Sequence, residues 1–414
     1  MMRKNILFFA STMAAVSLFV GCSNDSIDEA ATNSSDFIIE DLGATKVIPD
    51  QYIIVYNTNI AKSMDLQSSK TAVLDLTKDI LGVTSAKSNL ELDIKNVYSR
   101  SINGVTLTLN DAQINILQKD KRVKFIEQDR IVQFAPPCGT PNGGPCDGDG
   151  GGDDGGSSNQ EIPWGISRVN GGISYTGNNV AWILDSGIDL DHPDLNVDAS
   201  RGFNAFTSGK DGRSLDDGNG HGTHVSGTIA AIDNNQGVIG VAAGATVIPV
   251  KVLDSRGSGS YSGVIAGVDY VAANGASGDV ANMSLGGPVS IALEDAISGA
   301  AQNGIRFMLA AGNEAQDANN VSPARLNGNN IYTISSMAQG DNWSSFSNYG
   351  NPPVDYCAPG SSIKSTWKNA GYSTISGTSM ATPHAAGVLL LGSASNGGSV
   401  NGDPDGNADT IITH

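Results

Sequence analysis

Apolar positions along the chain fall into three kinds of stretch. Residues 6–20 form a nearly unbroken apolar run behind the basic Met1-Met2-Arg3-Lys4. The run is too short and too rich in small residues for a membrane span, and it reads as an export signal over 1–21. From 37 to 134, short apolar runs alternate with charged ones. Segments 52–56 and 123–127 predict strands and 112–119 a helix, enough for a small α+β domain. From Gln160 onward, buried-type strands at 180–184, 246–252, 280–284 and 305–310 alternate with helical segments at 223–232, 262–273 and 291–303. That alternation predicts an α/β domain over 160–414, with a mainly parallel central sheet and helices on both faces. In such a sheet, chemistry collects at the carboxyl ends of the strands.

Between the two domains, residues 135–159 are dominated by Pro, Gly and Asp, and read as an exposed, protease-accessible linker. An EF-hand reading of its Asp residues fails, because the twelfth position from Asp147 is Ser158 where a bidentate Glu is needed. The formal net charge of −18 argues against nucleic acid as a partner. Phe19-Val20-Gly21-Cys22 resembles a bacterial lipobox, which makes Cys22 a lipidation site and 22–36 a polar tether. Of the other cysteines, Cys138 and Cys146 flank a Gly/Pro turn and could close a small disulfide loop, whereas Cys357 reads as a buried thiol. No Cys/His spacing suggests zinc.

Three short segments carry candidate chemistry. Asp185 ends the 180–184 strand at the sheet edge, with Asp189, Asp191 and Asp194 as competitors in the loop beyond; an Asp there equally forms turns. Gly218-Asn219-Gly220-His221-Gly222-Thr223-His224 places two histidines at the start of a helix. The glycines beside His221 allow close approach of backbone, and the pair lacks the HExxH pattern of a zinc site. Ser379, in Gly377-Thr378-Ser379-Met380-Ala381-Thr382-Pro383-His384, stands at the N-terminus of a helix running to Leu391, where backbone N–H groups stabilise developing negative charge. A serine there is also a common N-cap. His384, five residues on, points to a different helix face.

Taken in order, Asp185-Ser186-Gly187-Ile188-Asp189, His221-Gly222-Thr223-His224 and the Ser379 segment resemble the three signature motifs of subtilisin-like serine peptidases. The order Asp, His, Ser is that family's own. Ala310-Ala311-Gly312-Asn313-Glu314 is similar to a fourth motif, whose Asn supplies the oxyanion hole. The resemblance runs from about Gln160 to Leu391. It implies a secreted endopeptidase with Asp185, His221 and Ser379 as the triad and Asn313 as an oxyanion donor. It also implies a peptide clamp from Gly257-Ser258-Gly259 and Ser284-Leu285-Gly286. Tyr261 and Leu253 would line an apolar subsite, Glu314 would stand near the rim of the primary pocket, and apolar or aromatic side chains would precede the cut.

The resemblance further implies a structural Ca²⁺ held by Gln160, Asp194, Ile232, Asn234, Gln236 and Val238, a donor set suited to a hard cation. The region 37–134 resembles the family's inhibitory propeptide, cut from the peptidase between about 134 and 159, so that the chain's own N-terminal domain is its first partner. A monomer is expected. Only 35 residues follow Ser379, so the family's closing helices are expected to be reduced or replaced. The acidic stretch Asp403-Pro404-Asp405-Gly406-Asn407-Ala408-Asp409 also spaces carboxylates for calcium, but reads as a solvated tail. The rival readings are a catalytically silent binding module, which no missing catalytic group supports, and a lipase-type hydrolase. The latter would need a G-x-S-x-G elbow that is absent here.

Overall fold

A computed structural model describes residues 38–39, 46–57, 64–83, 92–133 and 160–414. Residues 38–414 lie within one compact unit, Asp36–His414. Cys22, the Cys138/Cys146 pair and the export segment lie outside the described residues.

The N-terminal α+β domain is built on a sheet ordered Ile38–Ile39, Val123–Gln133, Val47–Tyr56, Gly104–Thr108, Ile94–Tyr98, antiparallel except at its first pair. Both strands read from sequence are longer than expected, because Val47–Tyr56 and Val123–Gln133 continue past their apolar centres as pairing partners. Helix Leu66–Ile80 is capped by Asp65, which accepts from the Ser68 amide at 2.9 Å. Helix Asp111–Lys119 opens with a capping box, Asn110 and Gln113 each accepting from the other's backbone N–H. Strand alternation then divides the side chains. Ile54 and Tyr56 join Val73, Leu107, Leu117 and Ile126 under the helices. Ile53 and Val55, with Tyr98, Phe125 and Val132, face the other way and enter the core of the large domain.

The large domain has a parallel sheet in the order Thr410–Thr413, Val354–Pro359, Ile331–Ala338, Arg306–Ala310, Val280–Met283, Ala181–Asp185, Thr246–Lys251. Strand Ala181–Asp185 is fully buried, as the apolar run Ala181–Leu184 requires of a strand covered on both faces, and it ends in the buried Asp185. Ala181 and Ile183 pack with helices His221–Ala230 and Thr378–Leu391. Trp182 and Leu184 pack with helices Tyr261–Asn274 and Ile291–Ala301. From Ala181–Asp185 the chain passes to Thr246–Lys251 on one side and next to Val280–Met283 on the other, so the strand order reverses there and opens a crevice at the carboxyl ends.

Two expectations about the C-terminus meet different outcomes. After Leu391 the closing element is a hairpin, Ser395–Ser399 with Thr410–Thr413, whose second strand extends the sheet beside Val354–Pro359. The acidic stretch is the loop of this hairpin: residues 404–408 are exposed, as a solvated segment is, whereas its last residue, Asp409, is buried. Asp409 is 2% exposed and accepts from the Ser335 hydroxyl and from Asn351 Nδ2 at 2.8 Å. Packing of Ile411 and Val400 with Met337 and Cys357 fixes the hairpin, and draws Asp409 inward with it.

Candidate active site

Three neighbouring strands deliver side chains to the crevice. Asp185 ends its own strand, Ser284 follows Val280–Met283, and Asn313 follows Arg306–Ala310. The ladder between the first two of these strands ends at Ile183 with Asn282, so Asp185 and Ser284 each follow that last pair by two residues. Helices His221–Ala230 and Thr378–Leu391 present their N-terminal ends to this edge, bringing His221 and Ser379 to it.

Asp185 and His221 are in direct contact. The Nδ1–H of His221 donates to both carboxylate oxygens at 2.9 Å, and the two side chains are no more than 1% exposed. The Ser186 amide donates to Asp185 Oδ1 at 2.7 Å and fixes the carboxylate's rotamer. The approach depends on glycine at two positions. A Cβ on Gly222 would stand 2.1 Å from the Gly187 carbonyl, and Gly220, at φ 115°, lies under the Trp367 ring where a Cβ would stand 2.4 Å away.

Ser379 exchanges two bonds with Ser284: its hydroxyl donates to the Ser284 carbonyl at 3.2 Å, and its carbonyl accepts from the Ser284 hydroxyl at 2.8 Å. Asn313 Oδ1 accepts from the Thr378 amide at 2.8 Å and its hydroxyl at 2.9 Å, which orients the other end of the amide. A Cβ built on Gly377 would lie 3.6 Å from both Asn313 Nδ2 and the Ser379 backbone N. Two N–H donors therefore converge on one small space, the arrangement that stabilises an oxyanion.

The competing candidates are occupied elsewhere. Asp189 accepts from the Ala370 amide at 2.8 Å, and burial raises its pKa. His224 donates from Nε2 to the Ile363 carbonyl at 2.9 Å, and burial holds its pKa down to about 3, so it is neutral. His384 donates from Nδ1 to the Met380 carbonyl at 2.8 Å, with its pKa pushed down to about 4 by burial.

The clamp residues divide. Ser258–Ser260 forms an antiparallel ladder with the N-terminal domain's last strand, Ser258 with Gln133, Gly259 with Val132 and Ser260 with Ile131. Gly257, at φ 76°, turns the chain into this edge. Val132 is buried in the apolar cluster that contains Leu253, Tyr261 and Leu285. Ser284 is engaged with Ser379 as above. Gly286 lies against Val321, where a Cβ would stand 3.3 Å from a methyl group. Glu314 accepts from Asn348 Nδ2 at 2.7 Å.

The six expected cation ligands gather in one place. Gln160 Nε2 donates to the carbonyls of Ile232 at 2.6 Å and Val238 at 3.1 Å. Asp194 accepts from Asn234 Nδ2 at 2.8 Å, from the Val238 amide at 3.1 Å and from the Tyr372 hydroxyl at 3.2 Å, and burial raises its pKa. Asn234 Oδ1 accepts from the Gln236 amide at 2.8 Å. Among the described residues, no group of three or more His, Cys, Asp or Glu is placed to hold a metal.

Sequence reading missed the residues that tie these parts together: Asp217, Ser186, Lys251 and Thr378. Only Asp217 left a signal, since Asp-Gly-Asn-Gly before a helix is a turn-and-cap pattern.

This crevice and fold define the class. Residues 178–401 match the subtilase family and residues 51–135 match Peptidase inhibitor I9. The chain belongs to the subtilase family, and is a serine-type endopeptidase with an inhibitor-type propeptide domain. It is 39% identical to alkaline serine exoprotease A of Vibrio alginolyticus over 83% of this chain and 60% of that protein. It is 36% identical to the extracellular serine proteinase of a Thermus strain over 84% of this chain and 82% of that protein. Among solved structures, a cold-adapted subtilisin-like serine proteinase matches with a TM-score of 0.52 at 39% identity, covering 60% of this chain and 97% of that one.

Proposed function

We propose that the chain is an exported precursor whose Asp185, His221 and Ser379 hydrolyse peptide bonds through an acyl-enzyme, first within its own linker and then in other proteins. The observation that carries this reading is the ladder between Ile131–Gln133 and Ser258–Ser260, an extended segment paired with a short strand that follows Val252 and Leu253, whose amides donate to the Asp185 carbonyl. The chain beyond Gln133 leads toward the 135–159 linker, which supports reading this strand as a substrate segment before its scissile bond.

The chemistry follows from the hydrogen bonds. With its proton on Nδ1 and held by Asp185, His221 keeps a lone pair on Nε2 and acts as the base for the Ser379 hydroxyl. That hydroxyl must turn from the Ser284 carbonyl as it attacks. The tetrahedral oxyanion is received by Asn313 Nδ2 and the Ser379 N–H. His221 then returns the proton to the leaving amine, and water repeats the cycle on the ester. Broad specificity with an apolar preference is supported by the main-chain ladder and by the burial of Val132 among apolar side chains.

Calcium belongs to the same proposal. The Ile232 and Val238 carbonyls converge on one point, filled here by the Gln160 amide nitrogen, and Asp194 faces the same loop. Rotating the Gln160 amide presents a third oxygen, so the donor set fits a hard, oxygen-seeking cation. When bound, Ca²⁺ would tie Gln160 to the 232–238 loop. Export is supported by the N-terminal basic and apolar pattern and by the extracellular designation of the Thermus relative. Lipidation at Cys22 would tether the precursor, and processing in the linker would release the enzyme. Mature enzyme still bound to membranes after that cut would contradict this last part.

The test compares wild type with Ser379→Ala. Wild type should cut itself within 134–159 and hydrolyse casein, and Ser379→Ala should do neither. Identical processing of the two would overturn the triad assignment.

A further inference from the structure

Asp217 is a buried carboxylate that takes no part in the steps above. Asp217 is 4% exposed and precedes the His221 helix by four residues. That helix begins at Gly220 and has no capping side chain of its own. Asp217 supplies the cap: Oδ1 accepts from the amides of Asn219 at 2.9 Å and Gly220 at 2.8 Å, and Oδ2 from the Thr223 amide at 2.9 Å and hydroxyl at 2.7 Å. Its fifth bond leaves the helix. Oδ1 also accepts from the Ser186 hydroxyl at 2.9 Å, and that same Ser186 oxygen accepts from the Gly222 amide at 3.1 Å.

Ser186 is the residue after Asp185, and Gly220 and Gly222 flank His221. The bridge therefore joins the strand end carrying the carboxylate to the helix turn carrying the imidazole, independently of the Asp185–His221 bond. It is dry, since Ser186 is 0% exposed. The buried Lys251 grips its far side, donating to the Ser186 carbonyl and, at 3.4 Å, to the Asp216 carbonyl, with Asp211 at 3.4 Å as its counter-ion. Lys368 closes the solvent side by donating to the Gly218 carbonyl at 2.9 Å.

We propose that Asp217, acting through the Ser186 hydroxyl, is the positioning unit that sets the geometry of His221 against Asp185 during turnover. This rests on the triad reading above. Helix capping alone needs only the four bonds on the helix side; the fifth is spent on holding two triad-bearing segments in register. When His221 becomes cationic it must neither tilt nor slide on Asp185, and the bridge restrains both. Neither residue touches substrate, so their loss should appear in turnover and not in substrate binding. Misplacement of a reacting group by about 1 Å costs on the order of 10²-fold in rate.

The experiment uses enzyme matured from the full precursor, with Ser186→Ala, Ser186→Thr, Asp217→Asn and the double variant Ser186→Ala/Asp217→Asn, and Ser379→Ala in parallel. Ser186→Ala should lower kcat by about 10- to 100-fold with KM within about twofold. Ser186→Thr keeps the hydroxyl and should stay within about fivefold of wild type, and the double variant should cost no more than the worse single one. A Ser186→Ala kcat within about twofold of wild type, or fully additive losses, overturns the proposal. If Asp217→Asn does not fold, the Ser186 pair decides alone, since Ser186→Ala leaves the four capping bonds in place. An active Ser379→Ala would instead overturn the triad reading, which is a separate result.

Discussion

Docking of the N-terminal domain should weaken as pH rises through neutrality, and Glu127 is the group that sets the range. Glu127 is 3% exposed in the domain interface. It caps helix Ile291–Ala301, accepting from the Ser290 hydroxyl at 2.5 Å and the Ala292 amide at 3.0 Å. Desolvation outweighs these bonds and pushes its pKa from 4.5 up to about 7. A carboxyl raised in the docked state takes up a proton on docking. The associated stability is complete below 4.5 and is lost as pH climbs through about 7. The span from 4.5 to about 7 corresponds to about 3 kcal/mol. For a domain of this size that moves a melting temperature by roughly 10 °C or more. Calorimetry of the uncut Ser379→Ala precursor between pH 5 and 8 measures it directly. The N-terminal domain's transition should fall with pH, and Glu127→Gln should remove most of the fall. Asp129 shifts in the same sense, again through burial, so Glu127→Gln/Asp129→Asn should flatten the remainder. An equal slope in Glu127→Gln and its parent, or no slope in either, would refute the reasoning; it would mean that the helix N-terminus fully offsets desolvation.

Two further outcomes follow from the site. Gly377→Ala places a methyl 3.6 Å from both oxyanion donors, in backbone that is extended at φ 161° and ψ 159° and accepts any residue. It should fold with an unchanged melting temperature yet lose about 10²-fold or more in kcat, the size that loss of an oxyanion donor has in this enzyme class. Wild-type activity in that variant would show that the space beside Gly377 is not where the oxyanion is received. Chelation should lower the melting temperature of the mature enzyme and added Ca²⁺, but not Mg²⁺, should restore it, by about 3 kcal/mol at a hundredfold excess over Kd. Asp194→Asn should abolish the response, and a protein indifferent to chelator has no calcium at this loop.

The parallel sheet was legible because strands buried on both faces must be largely apolar, as Ala181–Leu184 is before the strand ends at Asp185, and because helices must separate them. The triad segments were legible as wording, but their residue chemistry alone left His221 against His224 and Asp185 against Asp189. What separates them is long-range and has no local signature: His224 is taken up by the Ile363 carbonyl, 139 residues away, and Asp189 by the Ala370 amide. Strand ends were misjudged for the same reason. Residues 128–133 are polar or mixed in sequence, and become strand by pairing with Val47–Tyr56 on one edge and Ser258–Ser260 on the other. Composition places the acidic loop near the C-terminus in solvent, which holds for 404–408, but the buried pairing of Ile411 with Cys357 draws Asp409 into the protein.

The interface between the two domains divides its labour in a way that bears on release. Helices Tyr261–Asn274 and Ile291–Ala301 already carry their own caps, Ser260 accepting from the Gly263 amide at 3.0 Å and Ser290 from the Leu293 amide at 3.3 Å. Asp129 and Glu127 add bonds to the Ser262 and Ala292 amides, donors that water satisfies once the N-terminal domain leaves. Asp269 gives a carboxylate in return to the amides of Ser99, Arg100 and Ser101. None of these contacts lies in the triad or its oxyanion hole, so departure asks no repacking there. Under the proposed function, the ladder at Ile131–Gln133 and the seat of Val132 are the parts shared with substrate. A short peptide competing for that ladder therefore meets a domain held largely from elsewhere. Cleavage within the N-terminal domain, by unlinking Glu127, Asp129 and the Ser99–Ser101 turn from the ladder, is therefore expected to speed its departure, and mass spectrometry of the released fragments alongside onset of activity checks it.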